Sequence, residues 1–108
     1  MTYALRFLPP VEEDVFSAYA WYETRAPGLG DELLRMFYAC VGAITRNPLV
    51  SASVGHEFRR RLLRRFPYAV FFRVQGNEII VFGFFHSARD PWAIQSNLIQ
   101  RGDSEIPR

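Results

Sequence analysis

Arg59-Arg60-Arg61-Leu62-Leu63-Arg64-Arg65-Phe66-Pro67-Tyr68-Ala69-Val70-Phe71-Phe72-Arg73 is the stretch from which the rest of the chain can be read. Residues 56–63 read as one strand, 64–67 as a turn and 68–74 as a second strand. Gln75-Gly76-Asn77 is a tight hairpin loop, because glycine accepts the positive φ such loops need, and residues 78–86 form a third strand. With the period of two that a strand imposes, Arg59, Arg61 and Leu63 share one face and Phe58, Arg60 and Leu62 the other. Six of the thirteen arginines fall in this stretch, and the chain has no lysine. A basic strip this dense reads as an anion-binding concavity, since a guanidinium bonds both oxygens of a phosphate or carboxylate. It reads equally well as an edge strand kept soluble by charge.

Toward the N-terminus, residues 51–55 are a small-residue loop and Asn47-Pro48 stops a helix expected over residues 29–46. That helix carries its apolar stripe on Leu29, Leu33, Met36, Phe37, Cys40 and Ile44, and Asp31 is spaced to pair with Arg35. Ala26-Pro27-Gly28 separates it from a helix over residues 11–24, with Val11, Val15, Ala18, Tyr19 and Tyr22 on one stripe. Pro10 suits the first turn, and Glu12, Glu13 and Asp14 complement the positive end of the helix dipole. The break is short, so the two helices fold back as an antiparallel hairpin. Neither is apolar all round, so each needs a sheet over its stripe.

Residues 3–8 alternate as a short strand ended by Pro9-Pro10. After the third strand of the hairpin, Asp90-Pro91 is an N-cap followed by proline at the first helical position, so residues 92–99 form a short terminal helix. The expected fold is therefore α+β, in the order β-α-α-β-β-β, with a helical hairpin packed on an antiparallel sheet. Residues 1–101 make one domain, and residues 102–108, which lack periodicity, a flexible tail.

Composition bounds the function. A chain of 108 residues fits one domain, and 49% hydrophobic with 22% charged residues makes it globular rather than disordered. The lone Cys40 has no internal disulfide partner and lies among apolar residues at helical spacing, which reads as a core thiol in a reducing compartment. The longest apolar run, residues 79–85, is far too short to span a membrane. Residues 1–10 lack the pattern of a signal peptide. A cytoplasmic protein is expected.

Candidate chemistry is sparse. His86 and Arg89, at the end of the last strand, have the types needed for a general acid or base beside an anion-holding cation, although a lone histidine is more often hydrogen-bonded structure. No spacing suggests a metal site, and no glycine-rich phosphate loop or nucleophile elbow occurs, so no cofactor is expected. Trp21 lies off its helix stripe and is expected to be half exposed, as a docking contact.

Trp21-Tyr22-Glu23, Gly28-Leu29-Gly30, Asn47-Pro48, Arg59 to Arg65, Phe66-Pro67-Tyr68 and His86-Ser87-Ala88-Arg89-Asp90-Pro91 occur in one order over nearly the whole chain. In this the chain resembles the RelE/ParE family of small bacterial toxins, and in its last two signatures the ParE-like "plasmid stabilisation" branch. The resemblance implies a type II toxin neutralised by direct binding of a cognate antitoxin with an acidic, amphipathic segment. It also implies DNA gyrase as target. The family's other branch cleaves messenger RNA on the ribosome, with lysines, an arginine directly after the aromatic opening the middle strand, a late arginine and a C-terminal tyrosine. Here only Arg89 matches that set: Ala69 follows Tyr68, lysine is absent and no tyrosine comes later. The alternatives the resemblance leaves are a ribosome-dependent endonuclease with an atypical site built on His86 and Arg89, and an inactive homologue that only pairs with antitoxin. The expected binding face comprises Arg59, Arg61, Arg65, Tyr68, His86 and Arg89.

Overall fold

Proline and glycine place the elements. The structure, a computed structural model, describes residues 3–105. Strand β1 (Ala4–Phe7) leads through Pro9 into α1 (Pro10–Arg25), and α2 (Leu29–Arg46) follows after three residues. A 3-10 turn (Pro48–Val50) precedes β2 (Ala52–Gly55), β3 (Phe58–Leu62), β4 (Tyr68–Gln75), β5 (Glu78–His86) and α3 (Pro91–Glu105). The sheet order is β1-β5-β4-β3-β2. The α+β class and the helical hairpin on the sheet are as expected. No helix among the described residues is long and apolar enough to cross a membrane.

Three details differ from the sequence reading. Residues 52–55, expected in a loop, form an edge strand paired antiparallel to β3. His56 and Glu57 adopt positive φ (52° and 65°) in the turn between them, so the arginine strand starts at Phe58. Small side chains at Ala52, Ser53 and Gly55 suit a short, bulged edge. The arginine strand is thus flanked on both sides, by β2 and β4, and the edge-strand explanation of its charge does not hold. Secondly, β1 runs parallel to β5, so the sheet is mixed. Thirdly, α3 runs to Glu105 instead of ending at Ile99, because Arg101 is anchored. Residues 102–105 of the expected tail are helical, and 106–108 lie outside the described residues.

The helical hairpin covers one face of the sheet and α3 the other. Phe37 of α2 meets Phe84 edge-on at 5.1 Å, and Tyr22 of α1 meets Tyr68 at 6.1 Å. On the opposite face Phe58 packs against Phe82 at 5.0 Å, with the Arg73 guanidinium 4.0 Å above Phe58. Double cover explains why Ile79 to Phe85 read as an unbroken apolar run: a strand buried on both faces has no polar side. Fully buried phenylalanines such as Phe58, Phe72 and Phe84 each contribute about 2–3 kcal/mol through removal of apolar area from water.

One polar link crosses this core. Arg101 of α3 makes a bidentate pair with Asp14 of α1 (2.6 and 3.0 Å) and also donates to the Phe82 carbonyl at 2.8 Å. Asp14 in turn accepts the Phe84 N–H at 3.1 Å, next to the bulge that opens β4–β5 between Phe71 and Phe72. Gly83 makes room for the link: a Cβ there would stand 2.5 Å from the Phe85 ring and 3.0 Å from Arg101.

Candidate functional site

Phe66-Pro67-Tyr68 shapes the end of the sheet where three of the six expected residues gather. The turn after β3 closes with the Leu63 N–H on the Tyr68 carbonyl (2.9 Å) and the Tyr68 N–H on that of Phe66 (2.8 Å). The Ser87 N–H, from beyond β5, donates to the Pro67 carbonyl at 2.8 Å. The Tyr68 ring stacks on Phe84 at 4.9 Å and meets the edge of His86 at 5.2 Å. Arg65, at φ 70°, leaves the same turn and forms an ion pair with Glu32 of α2. Burial, and then the neighbouring Tyr22 hydroxyl, push the Tyr68 phenol above its ordinary value, so it remains neutral and is unsuited to act as a base.

Helix α1 extends this surface. Tyr22 meets Phe66 edge-on at 5.0 Å and Trp21 at 4.9 Å, and the Arg25 guanidinium lies 4.0 Å over the Trp21 ring. Trp21 is 50% exposed, as its position off the stripe predicts. The result is a continuous run of aromatic rings, Trp21–Tyr22–Tyr68–His86, with the Arg25 guanidinium at its Trp21 end. Tryptophan, tyrosine and arginine are the side chains that carry most energy in protein interfaces.

The other expected residues are placed elsewhere. Arg59 donates to the Leu49 and Ser51 carbonyls (3.2 and 2.8 Å), where it ties the loop after α2 to the sheet. The Arg61 carbonyl accepts the Cys40 S–H at 3.7 Å. Its guanidinium charge favours the Cys40 thiolate, but burial outweighs this and pushes the thiol up to about 11. Arg89 lies 4.8 Å over the Phe85 ring. Phe85 points to the α3 face, whereas His86 points to the hairpin face beside Tyr68, so the two candidate catalytic side chains diverge. The His86 Nδ1 accepts the Ala88 N–H at 3.0 Å, which leaves Nε2 to carry the proton of the neutral ring.

A second surface lies between the helices. Phe7, Phe16, Leu34, Phe37 and Tyr38 line a groove of about 1020 Å³, and Glu12, Glu13 and Asp31 stand along it. Phe16 and Tyr38 are 63% and 64% exposed. Exposed aromatic rings grouped in this way mark an interaction surface. Asp31 does not pair with Arg35 as its spacing suggested; it lies against the Tyr19 hydroxyl and raises that group's pKa, as the largest of several causes.

The model of the ParE toxin of the type II toxin–antitoxin system, parDE, matches residues 5–91 of this chain. The chain belongs to the ParE toxin family. Toxin ParE2 of Mycobacterium tuberculosis is 30% identical to it over 105 residues, which cover 94% of this chain and 97% of that one. Among solved structures, the chromosomal ParDE system from P. aeruginosa superposes with a TM-score of 0.70 at 20% identity, over 79% of this chain and 96% of that one. An arginine-substituted E. coli toxin RelE in the free state gives 0.59 at 12% identity, over 94% and 98%. These likenesses show that ParE and RelE toxins share the fold seen here.

The signatures of this ParE chain also have local explanations. The Glu23 carboxylate accepts the N–H groups of Gly28 and Gly30, each at 2.9 Å, and so caps an α2 that has no side-chain cap of its own. A Cβ on Gly30 would stand 2.8 Å from the Tyr19 ring. Trp21-Tyr22-Glu23 and Gly28-Leu29-Gly30 are therefore two halves of one hairpin lock. Sequence reasoning missed Tyr22 and Arg25 as members of the surface. The signal was present: Trp21 and Arg25 are four residues apart, on neighbouring turns of one helix face.

Proposed function

We propose that this ParE-family chain is a growth-arresting toxin that binds DNA gyrase through the aromatic and arginine surface, and that a cognate antitoxin neutralises it. The observation that carries the reading is the packing of Tyr68 and His86 into a run with Tyr22, Trp21 and Arg25. Cleavage of RNA without a metal needs a proton-handling group and a phosphate-holding cation on one substrate. The Arg89 guanidinium packs over Phe85 and the His86 ring against Tyr68, a divergence that supports binding over cleavage. The antitoxin reading is supported by the family and by the groove between α1 and α2, whose apolar lining and exposed rings suit an amphipathic helix.

Purified gyrase supplies the test. Added toxin is expected to inhibit supercoiling, and Trp21→Ala with Arg65→Glu to raise the concentration needed by about tenfold or more, as loss of interface anchors does. Normal supercoiling at concentrations that arrest growth would overturn the gyrase assignment. Cleavage of translated messenger under the same conditions would identify the endonuclease alternative.

A further inference from the structure

The groove has a charge sign opposite to that of the arginine strand. Its floor and walls are apolar, while Glu12 and Glu13 approach it from α1 and Asp31 from α2; no basic residue among the described residues lines it. Neither Glu12 nor Glu13 has an ion-pair partner among the described residues. Each acid has a local reason to be where it is, since all three stand in the first turn of a helix and complement its dipole. Their convergence on one apolar groove nonetheless fixes the potential that a docking segment meets. An acidic segment, suggested by the concentration of arginine elsewhere, would be repelled here.

We infer that the segment seated in this groove is a short basic amphipathic helix of the antitoxin, with apolar side chains at i, i+4 and i+7 set against the exposed rings of Phe7, Phe16 and Tyr38 and with lysine or arginine beside them facing Glu12, Glu13 and Asp31. This rests on the antitoxin reading above and adds the charge of the segment that makes the contact. The α1 wall from Val11 to Tyr19 is about 12 Å long at 1.5 Å per residue, which is two turns of a docked helix. Like charges brought together across an interface disfavour a partner, and opposite ones select it. Acidic parts of the same antitoxin fall to the arginine end, so the whole partner is charge-polarised along its length.

The probes are two synthetic helical peptides of about 14 residues with one apolar pattern, flanked by lysines in one and glutamates in the other, titrated by fluorescence anisotropy into the full-length toxin. The lysine peptide is expected to bind at least about tenfold more tightly at about 0.05 M salt, and the difference to shrink at about 0.5 M as the charges are screened. Glu12→Gln with Glu13→Gln is expected to reduce lysine-peptide affinity severalfold and flatten its salt dependence. Tyr38→Asp is expected to abolish binding of both peptides while the far-ultraviolet spectrum and melting curve stay those of the parent, because Tyr38 is exposed. Equal binding of the two peptides, tighter binding of the glutamate peptide, or binding insensitive to Tyr38→Asp would overturn the inference. Co-expression with the neighbouring gene separates the two levels. If the neighbour rescues growth equally well for the parent toxin and for Tyr38→Asp, the antitoxin reading stands and the groove assignment falls; if it rescues neither, the antitoxin reading itself falls.

Discussion

At the residue scale, the hairpin lock and the core thiol make separable predictions. Gly30→Ala places a methyl 2.8 Å from two Tyr19 ring atoms and 2.9 Å from the Glu23 carboxylate, an overpacking expected to cost about 1–3 kcal/mol. Glu23→Ala removes the cap of α2 without a clash, and about 1–2 kcal/mol is expected by analogy with other helix caps. Urea unfolding of the two variants checks both, and a Gly30→Ala protein as stable as the parent would mean that Tyr19 can turn aside at no cost. Cys40 gives the pH dependence. Its folded thiol is raised from 9.0 to about 11, chiefly by burial. A raised thiol pKa means that the unfolded chain loses its proton first as pH rises. Stability should therefore be unaffected by this group below about pH 9 and fall between about 9 and 11. Tyr22 and Tyr68, also raised by burial, push the same way somewhat higher. Cys40→Ala should flatten the earlier part of the decline in melting temperature, and an unchanged slope would show that the thiol is not its source.

At the element scale, what could be read from sequence was what depends on local chemistry. Both hairpin helices and strands β4 and β5 follow from stripe, proline and glycine, because periodicity and breakers are written in neighbouring residues. The edge strand β2 was not legible: its pairing is set by β3, and its turn uses His56 and Glu57 in a conformation normally taken by glycine or asparagine. The length of α3 was hidden for a similar reason. It depends on Arg101 meeting Asp14, which lies 87 residues away in the chain. The site was legible in part. Arg65, Tyr68 and His86 come together because the turn and the end of β5 share backbone hydrogen bonds, but a count of arginines cannot tell that Arg59 is spent on the Leu49 and Ser51 carbonyls. Two predictions belong here. Asp14→Asn leaves Arg101 buried without its charge partner (side chains 12% and 16% exposed), and a loss of about 3 kcal/mol is expected. A loss below about 1 kcal/mol would mean that the pair is not what holds α3. Conversely, His56→Asn with Glu57→Gly supplies the residues that a turn with two positive φ values favours, and a gain of up to about 1 kcal/mol is expected.

At the scale of the whole molecule, the decisive feature is that α1 serves two surfaces. Phe16 and Trp21 are five residues apart, which at about 100° per residue turns them about 140° from each other around the helix. One belongs to the acidic apolar groove and the other to the arginine-rimmed aromatic surface. Antitoxin and target, on the functions proposed above, thus have distinct footprints on one rigid element, and their effects should be separable by substitution. Phe16→Asp is expected to leave growth arrest intact while weakening rescue by the antitoxin. Trp21→Ala is expected to weaken arrest while antitoxin still binds. Both side chains are largely exposed, so folding should survive. Growth curves with and without the neighbouring gene, together with pull-down of the antitoxin by each variant, give the readout. If either substitution removed arrest and antitoxin binding together in a protein that still melts cooperatively, the two footprints would coincide and neutralisation would work by direct occlusion of the aromatic surface. If the losses separate, the antitoxin must silence the target surface from the groove, either by its remaining bulk reaching around α1 or by its acidic portion covering Arg25 and Arg65.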